Sequence, residues 1–369
     1  MALSKITNAS VADNAIHGRR NLILNGACQV AQRSSSVTGI TTAGYYTVDR
    51  MKPQFSSLGT WTIEQSTDAP DGFSNSIKMT ATTADASPSA SDYAQMMHRI
   101  EAQNLQHLQV GTSSAKSTTL SFYVKATKTG SFTLVARTFD TSTRMFSKNI
   151  TVSSANTWEY KTVTIPADTG GDIANDNGVG IEIAFWFNAG STFSGGSEMS
   201  TWAAQVNANK YLGTIDIGAS TNDAIQFTGI QLEVGDASPF EHRSYGEELA
   251  ACQRYTYVFN SQKINGEKSL CNLAKWSNGY AYGSFSFPME MRTAPAATIY
   301  NKTEFYVYIA GSVGQVSGSD TFGVSNQTTD IGEVYIECGE GSSGQAGFMR
   351  KAGSASGTSS GYIVLDAEL

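Results

Sequence analysis

Charge is scarce in this chain. Only 15% of its 369 residues are Asp, Glu, Lys or Arg, against roughly 25% in an ordinary soluble domain. The net charge is −7, and no basic run exceeds a pair such as Arg19-Arg20. A surface that follows a phosphate backbone needs clustered cations, so nucleic acid is not an expected partner. Cysteine is equally sparse: Cys28, Cys252, Cys271 and Cys338 lie far apart, with no Cys-x-x-Cys and no zinc spacing. Each has apolar neighbours, as in "GACQV" and "YIECG", which suits a small buried hydrophobe; a Cys252–Cys271 disulfide is the alternative. No stretch approaches the roughly 20 apolar residues of a membrane span, so no membrane insertion is expected. The opening "MALSKITNASVADNAIHGRR" has no apolar h-region, which favours release by lysis over secretion if the protein works outside a cell.

What fills the chain is alternation. From Asn21 to about Arg243, apolar residues recur with period 2, the signature of half-buried strands. "TWTIEQ", "TTLSFYVKA", "SFTLVARTF", "GIEIAFWFN" and "AIQFTGIQLEV" are examples. Ser/Thr/Gly/Asn/Asp-rich loops separate them, and no helices alternate with them. About eight such strands predict an antiparallel jelly-roll sandwich over residues 21–243. The segment "DYAQMMHRIEAQNLQHL" fits a helix or a strand followed by a turn, and its periodicity does not decide. Alternation resumes at Tyr255 and continues to Leu369, predicting a smaller C-terminal β-sandwich of five or six strands over 255–369. In "YAYGSFSF" the phase slips at Gly283-Ser284, which predicts a β-bulge. Residues 1–20 are polar and read as an attachment arm or a tail. The fold class is therefore all-β, with a short linker helix over 244–254. There "SYGE" matches a capping box, the Ser244 hydroxyl facing backbone N–H groups and Glu247 reaching back. Such a short helix needs a surface to pack on, either its own domains or other copies of the chain.

No catalytic set emerges. There is no His-Glu-x-x-His and no phosphate loop. "GTSSG" (Gly357, Ser359, Gly361) matches Gly-x-Ser-x-Gly, but it precedes a strand and lacks the strand–turn–helix setting of a nucleophile elbow. His17, His98, His107 and His242 show no ligand spacing. The acidic loop with Asp168, Asp172, Asp176 and Glu182 offers oxygens to a structural calcium ion, though not at EF-hand spacing. No cofactor is otherwise expected. Two tryptophans are candidate glycan-binding residues: Trp186 on the face opposite Phe185 and Phe187, and Trp202 in the loop "MSTWAAQ". An exposed large aromatic seeks a partner, either a sugar ring, a core or another subunit.

Several stretches carry a resemblance: "GRRNLILNGACQVAQRSSS...GYYTVDRM", "HRIEAQNLQHLQVGTSSAKSTTLSFYVKATKTGSFTL" and the joint "TGIQLEVGDASPFEHRSYGEELAACQRY". They resemble a cassette of tail-fibre-like and appendage proteins of tailed bacteriophages, especially phages of marine bacteria and cyanobacteria. The ending "FPMEMRTAPA...GYIVLDAEL" resembles the terminal domain that often follows it. Met51 stands where the cassette typically has Trp, and Cys28 is also a departure. The resemblance implies a jelly roll like that of carbohydrate-binding modules and a homotrimeric virion protein. It further implies attachment to tail or adaptor proteins through the arm and contact with a host-surface glycan or receptor, here assigned to 255–369. A head decoration without receptor binding is the alternative, and a polysaccharide depolymerase a third reading.

Overall fold

The computed structural model describes residues 19–140, 142–259, 268–277, 279–351 and 361–369. His17, Gly357, Ser359 and all but the last two residues of the expected arm lie outside the described residues. The chain forms two compact units. The first holds the described residues up to Ala31, then Ser35–Glu248 and Leu369; the second holds Gln32–Ser34 and Leu249–Glu368. The division thus falls inside the one α-helix described, α1 (Tyr245–Gln253).

Among the described residues twelve strands build the first unit, four more than the alternation alone revealed. They are β1 (Ser36–Ile40), β2 (Lys52–Ser56), β3 (Thr60–Ser66), β4 (Ser76–Thr83), β5 (Tyr93–Glu101) and β6 (Thr118–Ala126). The rest are β7 (Gly130–Thr138), β8 (Arg144–Val152), β9 (Glu159–Ile165), β10 (Val179–Ala189), β11 (Ala203–Ala204) and β12 (Ala224–Val234). One six-stranded sheet runs β1-β3-β4-β12-β6-β9, the other β11-β8-β7-β10-β5-β2. The chain crosses between them repeatedly from β4 to β12, giving an antiparallel sandwich of jelly-roll character. The undecided segment is a strand, β5, followed by a short 3-10 helix over Ala102–Leu108 whose Leu105 and Leu108 are buried. Of the strands the alternation did not clearly reveal, β1, β2 and β11 are short, whereas β5 and β8 run nine residues each without a clean alternation of apolar and polar positions.

Aromatic rings join the two sheets. Phe185 of β10 stacks on Phe227 of β12 with centroids 4.6 Å apart, and Phe122 of β6 meets Phe185 edge-on at 4.9 Å. Phe55 of β2 stacks on Trp61 of β3 at 4.5 Å. These rings come from alternating positions of strands in opposite layers, so the core is an interdigitated aromatic seam. Cys28 is enclosed in the same core, where burial pushes its thiol up to about 12 and leaves it inert. None of the four cysteines forms a disulfide, so the Cys252–Cys271 alternative is not realised.

Among the described residues the second unit has ten strands, not five or six. A three-stranded sheet orders β13 (Thr256–Phe259), β22 (Tyr362–Asp366) and β16 (Ala296–Tyr300). A seven-stranded sheet runs β18-β17-β21-β14-β15-β20-β19, built from β14 (Lys268–Lys275), β15 (Tyr280–Ser286), β17 (Phe305–Ile309), β18 (Ser312–Gln315), β19 (Phe322–Ser325), β20 (Ile331–Glu337) and β21 (Ala346–Lys351). Phe259 and Phe285 stack between the sheets at 4.5 Å. The expected bulge at Gly283-Ser284 is absent. β15 pairs with β20 without a register shift from Tyr280 to Ser286. Ala281, Gly283 and Phe285 simply alternate inward, and the glycine had masked that phase. A Cβ on Gly283 would lie 2.2 Å from the Asn272 carbonyl oxygen. Gly283→Ala is therefore expected to destabilise this unit by about 1–3 kcal/mol, read as an earlier denaturant transition of the full chain.

Candidate functional site

β10 is buried on both faces. Inward, Ile181, Ile183, Phe185 and Phe187 enter the seam. Outward, Glu182, Ala184 and Trp186 lie on the far face of the second sheet, where pairing register sets three rows. One row crosses Asn149, Thr133, Trp186, Gln95 and Gln54. The next crosses Ser147, Val135, Ala184, Met97 and Lys52, and the third Met145, Arg137, Glu182 and Arg99. The β10–β5 register shifts between Trp186 and Asn188, a bulge beside the first row.

Trp186 is only 2% exposed. The loop after β10 returns over it, so Trp186, Met97, Val135, Met145, Ala184 and Tyr211 form a second small core flanked by Tyr93, Phe193 and Met199. Tyr93 and Phe193 lie 5.1 and 5.3 Å from the Trp186 ring. The loop is pinned where Leu212 N–H donates to Thr133 Oγ1 at 2.7 Å. Trp186 therefore belongs to an aromatic group beneath a loop and presents no free ring face.

The polar groups of this face fall into two kinds. Some are fully engaged. Glu182, wholly buried, accepts from Arg99 Nε at 2.9 Å and from Arg137 Nε at 3.0 Å and Nη2. Arg137 Nη1 donates to Gln205 at 3.1 Å. Gln95 Nε2 donates to Gln54 at 2.9 Å, and Gln54 Nε2 donates to the Tyr93 hydroxyl at 2.6 Å. Others are buried without a hydrogen-bond partner among the described residues: Gln95 Oε1, Trp186 Nε1, Ser147 Oγ and Asn149 Oδ1. Such groups are costly unless something completes them. Lys210, on the returning loop and 7% exposed, points its ammonium at the Trp186 and Phe193 rings, 5.7 and 5.4 Å from their centroids. Burial first, then the Arg137 guanidinium, brings its pKa down to about 8, with Glu182 opposing. Burial likewise raises the Tyr93 phenol.

The other expected site residues lie elsewhere. Trp202 is 9% exposed in the main core and donates to the Pro166 carbonyl at 2.8 Å. Arg144 ties this corner together, donating to the Trp202 carbonyl at 3.1 Å and to Asp168 at 2.8 Å. The acidic loop does not gather into a calcium site: Asp168 is held by Arg144, Glu182 by two arginines, and Asp176 by the Gly178 N–H of its own turn at 2.8 Å. Among the described residues no three His, Cys, Asp or Glu converge as metal ligands. Ser244 Oγ donates to Glu247 Oε2 at 2.8 Å and accepts from Glu247 N–H at 3.4 Å, while Ser244 N–H donates to Glu247 Oε2 at 3.0 Å. His98 is buried, and desolvation followed by Arg50 holds it well below the usual histidine range. His242 packs on Phe240 and Phe73.

In the second unit, Tyr308 stacks on Phe348 at 5.0 Å with Arg350 over both rings, and Trp276 is 78% exposed. A pocket of about 270 Å³ there is lined by Asp320, Glu337 and Glu340 among others. Asp320 is bound by Ser317, and Glu337 by the Thr321 N–H.

Gln54, Gln95, Arg99, Arg137 and Lys210 were not singled out from sequence. A strand reading of 93–101 would have placed Gln95, Met97 and Arg99 on one face, and an arginine in the middle of "TLVARTF" is unusual for a buried strand. Lys210 carries no such signal, because only the loop's return brings it to the sheet.

No family model matches the chain, and a search of curated proteins returns no match. Solved structures similar to part of it include the enzymatically active domain of bacteriophage CBA120 tailspike protein 4. That similarity has 14% identity and a TM-score of 0.30, and it covers 58% of this chain and 22% of that one. A structure described as "CBM4 structure and function" has 16% identity and a TM-score of 0.30, covering 58% and 99%. A family 11 carbohydrate-binding module from Clostridium thermocellum, in complex with a mixed-linked tetrasaccharide, has 11% identity and a TM-score of 0.26, covering 60% and 97%. The chain thus spans less than a quarter of the tailspike chain. Similarities at these scores carry no functional argument.

Two outcomes follow from the geometry. Glu182→Gln leaves Arg99 and Arg137 without their shared carboxylate and should cost about 3–5 kcal/mol of stability, measured by denaturant unfolding. Lys210 has its folded pKa near 8 and its ordinary value at 10.5. Between those pH values the unfolded chain binds more protons than the folded one, so stability rises with pH there. The stability of the native chain relative to Lys210→Met should accordingly improve from pH 8 towards 10.5, and a flat difference would contradict the buried ammonium.

Proposed function

We propose that this chain is a glycan-binding structural protein of a tailed-phage virion, a tail fibre that attaches to the host surface. One observation carries the binding half of the reading. The outer face of the second sheet sets the partly exposed rings of Tyr93 and Phe193, packed over the buried Trp186, beside the partly exposed polar groups of Gln54, Arg99 and Arg137. A sugar offers both of the things such a face is short of: apolar C–H surface for rings and hydroxyls that donate and accept. The reading moves the contact from 255–369, where the sequence put it, to the first unit. The carboxylates of this face are engaged: two arginines hold Glu182, and Glu101, two residues beyond Arg99 on β5, accepts from Gln103 Nε2. Hydrolysis of a glycosidic bond uses a pair of carboxyl groups flanking that bond, so the reading is of binding without cleavage.

The virion half rests on the resemblance of the quoted sequence stretches. In this reading the chain is a homotrimer, the N-terminal arm docks on tail or adaptor proteins, and the protein reaches the outside by lysis. Three weak sites on one appendage raise avidity without any new contact.

The test is a glycan array probed with the full-length chain, followed by competition for phage adsorption. Native protein is expected to bind a restricted set of glycans. The double substitution Gln54→Ala, Gln95→Ala should weaken that binding by about tenfold, the equivalent of one to two hydrogen bonds. Because Gln95 is 2% exposed and bonded to Gln54, some loss of melting temperature is expected, and binding is compared at a temperature where the variant is folded. Absence of binding to every glycan, or full binding by the double variant, would overturn the assignment.

A further inference from the structure

A lysine of the second unit is buried against a cysteine. Lys275, the last residue of β14, is 2% exposed, and Cys338, the first residue after β20, is 8% exposed. Lys275 Nζ donates to the Cys338 carbonyl oxygen and stands 3.3 Å from the Cys338 Sγ. Among the described residues no carboxylate pairs with this ammonium; its partners are two atoms of one cysteine. Lysines are almost never buried so fully unless a counter-charge accompanies them.

Backbone contacts fix both residues. Lys275 N–H donates to the Gln345 carbonyl at 2.9 Å, and the Lys275 carbonyl accepts from Gly344 N–H at 2.8 Å. Cys338 N–H donates to the Gly279 carbonyl at 2.9 Å. β15 runs between β14 and β20, and its residue opposite Lys275 is Ala281, small enough to leave room for the lysine stem. Nitrogen and sulfur thus stand where a reaction between them needs little reorganisation. The other three cysteines are set differently. Burial pushes the Cys28 and Cys271 thiols up to about 12, which disfavours the reactive thiolate, and Cys252 is wholly buried. Cys338 lines, with Gly279, Gly339 and Glu340, the pocket of about 270 Å³ described above, so a solute as small as a peroxide can approach this corner of the sheet.

We propose that Lys275 and Cys338 are an oxidative modification site, joined by a reversible covalent link when the protein meets hydrogen peroxide. The inference is independent of the glycan reading. In the first step the Cys338 thiol becomes a sulfenic acid: an S–O bond forms, the peroxide O–O bond breaks, sulfur gives up two electrons and one water leaves. In the second, the Lys275 amine, its extra proton lost to solvent, attacks that sulfur. An N–S bond forms, the S–O bond breaks, and the hydroxyl departs as a second water with a proton from nitrogen. The side chains have together lost two hydrogens, and one peroxide has become two waters. The product is a sulfenamide, which two equivalents of a thiol reductant return to thiol and amine while forming their own disulfide. The link spans 63 positions of sequence, so it constrains the unfolded chain as a disulfide does.

The experiment treats the folded full-length chain with hydrogen peroxide under mildly alkaline conditions and maps its peptides by mass spectrometry, before and after a thiol reductant. The expected product is a peptide pair joined through Lys275 and Cys338, lighter than its parts by two hydrogens and released by the reductant. Oxidation should also raise the midpoint of the chain's denaturant transition, by a shift equivalent to about a hundredfold in the folding constant, and the reductant should reverse it. Lys275→Arg keeps the positive charge but not the amine, and should give no linked peptide and no shift; Cys338→Ser should behave likewise. Should either variant fail to fold, the native peptide map decides alone. Oxidation of Cys338 to the sulfinic acid without a linked peptide overturns the proposal. So does a native chain whose Cys338 stays unmodified, or a link that joins Lys275 to another cysteine.

Discussion

Strand β10 must be buried twice. It is the central strand of the second sheet, flanked by β7 and β5, and a period of 2 sends its side chains alternately to opposite sides. One side supplies Ile181, Ile183, Phe185 and Phe187 to the seam that holds the sandwich together. The other side therefore also faces covered space, and what it carries there needs partners. Glu182 finds two arginines, Ala184 leaves room, and Trp186 draws a loop over itself. The register that closes the core thus fixes the three outer rows. Shifting β10 by one residue would put Glu182 and Trp186 into the seam and the phenylalanines outside.

That dependence explains how a sheet face without a catalytic set still has chemical character. Its arginines and glutamine chain are held in place by hydrogen bonds along the rows, and its aromatic rings are held by the returning loop. Rigid elements supply the row residues, while the loop supplies Lys210, Phe193 and Tyr211. A face built this way is organised by the protein's own contacts, and any association there would carry a lower entropic cost. The same covering accounts for its unusual electrostatics. Partial exclusion of water strengthens charge interactions, and it disfavours the charged form of Lys210.

The second unit follows the same logic with less at stake. Its sheets meet at Phe259 and Phe285, and its inward glycine at 283 exists because a neighbouring carbonyl occupies the space a methyl group would need. Its outward face carries Tyr308, Phe348 and Arg350 packed on one another. The carboxylates Asp320 and Glu337 of its pocket are engaged in local turns. Among the described residues neither feature has the unmet donors and acceptors that distinguish the face of the first unit.

The amino-acid order by itself determined the architecture: all-β, two sandwiches, a helix between them, and the capping pair Ser244 and Glu247. These are local properties, written in alternation and in residues three apart. It also indicated Trp186, since an outward tryptophan on an otherwise inward-facing aromatic strand is conspicuous. What only the tertiary structure decided was which residues meet. Gln54, Gln95 and Arg137 lie on three separate strands, and Lys210 lies beyond them on a loop. Their adjacency arises from strand order and register, which long-range packing sets and no short window of sequence contains. Tertiary packing also turned both tryptophans from free ring faces into covered ones, because the loops that cover them owe their positions to contacts with distant strands.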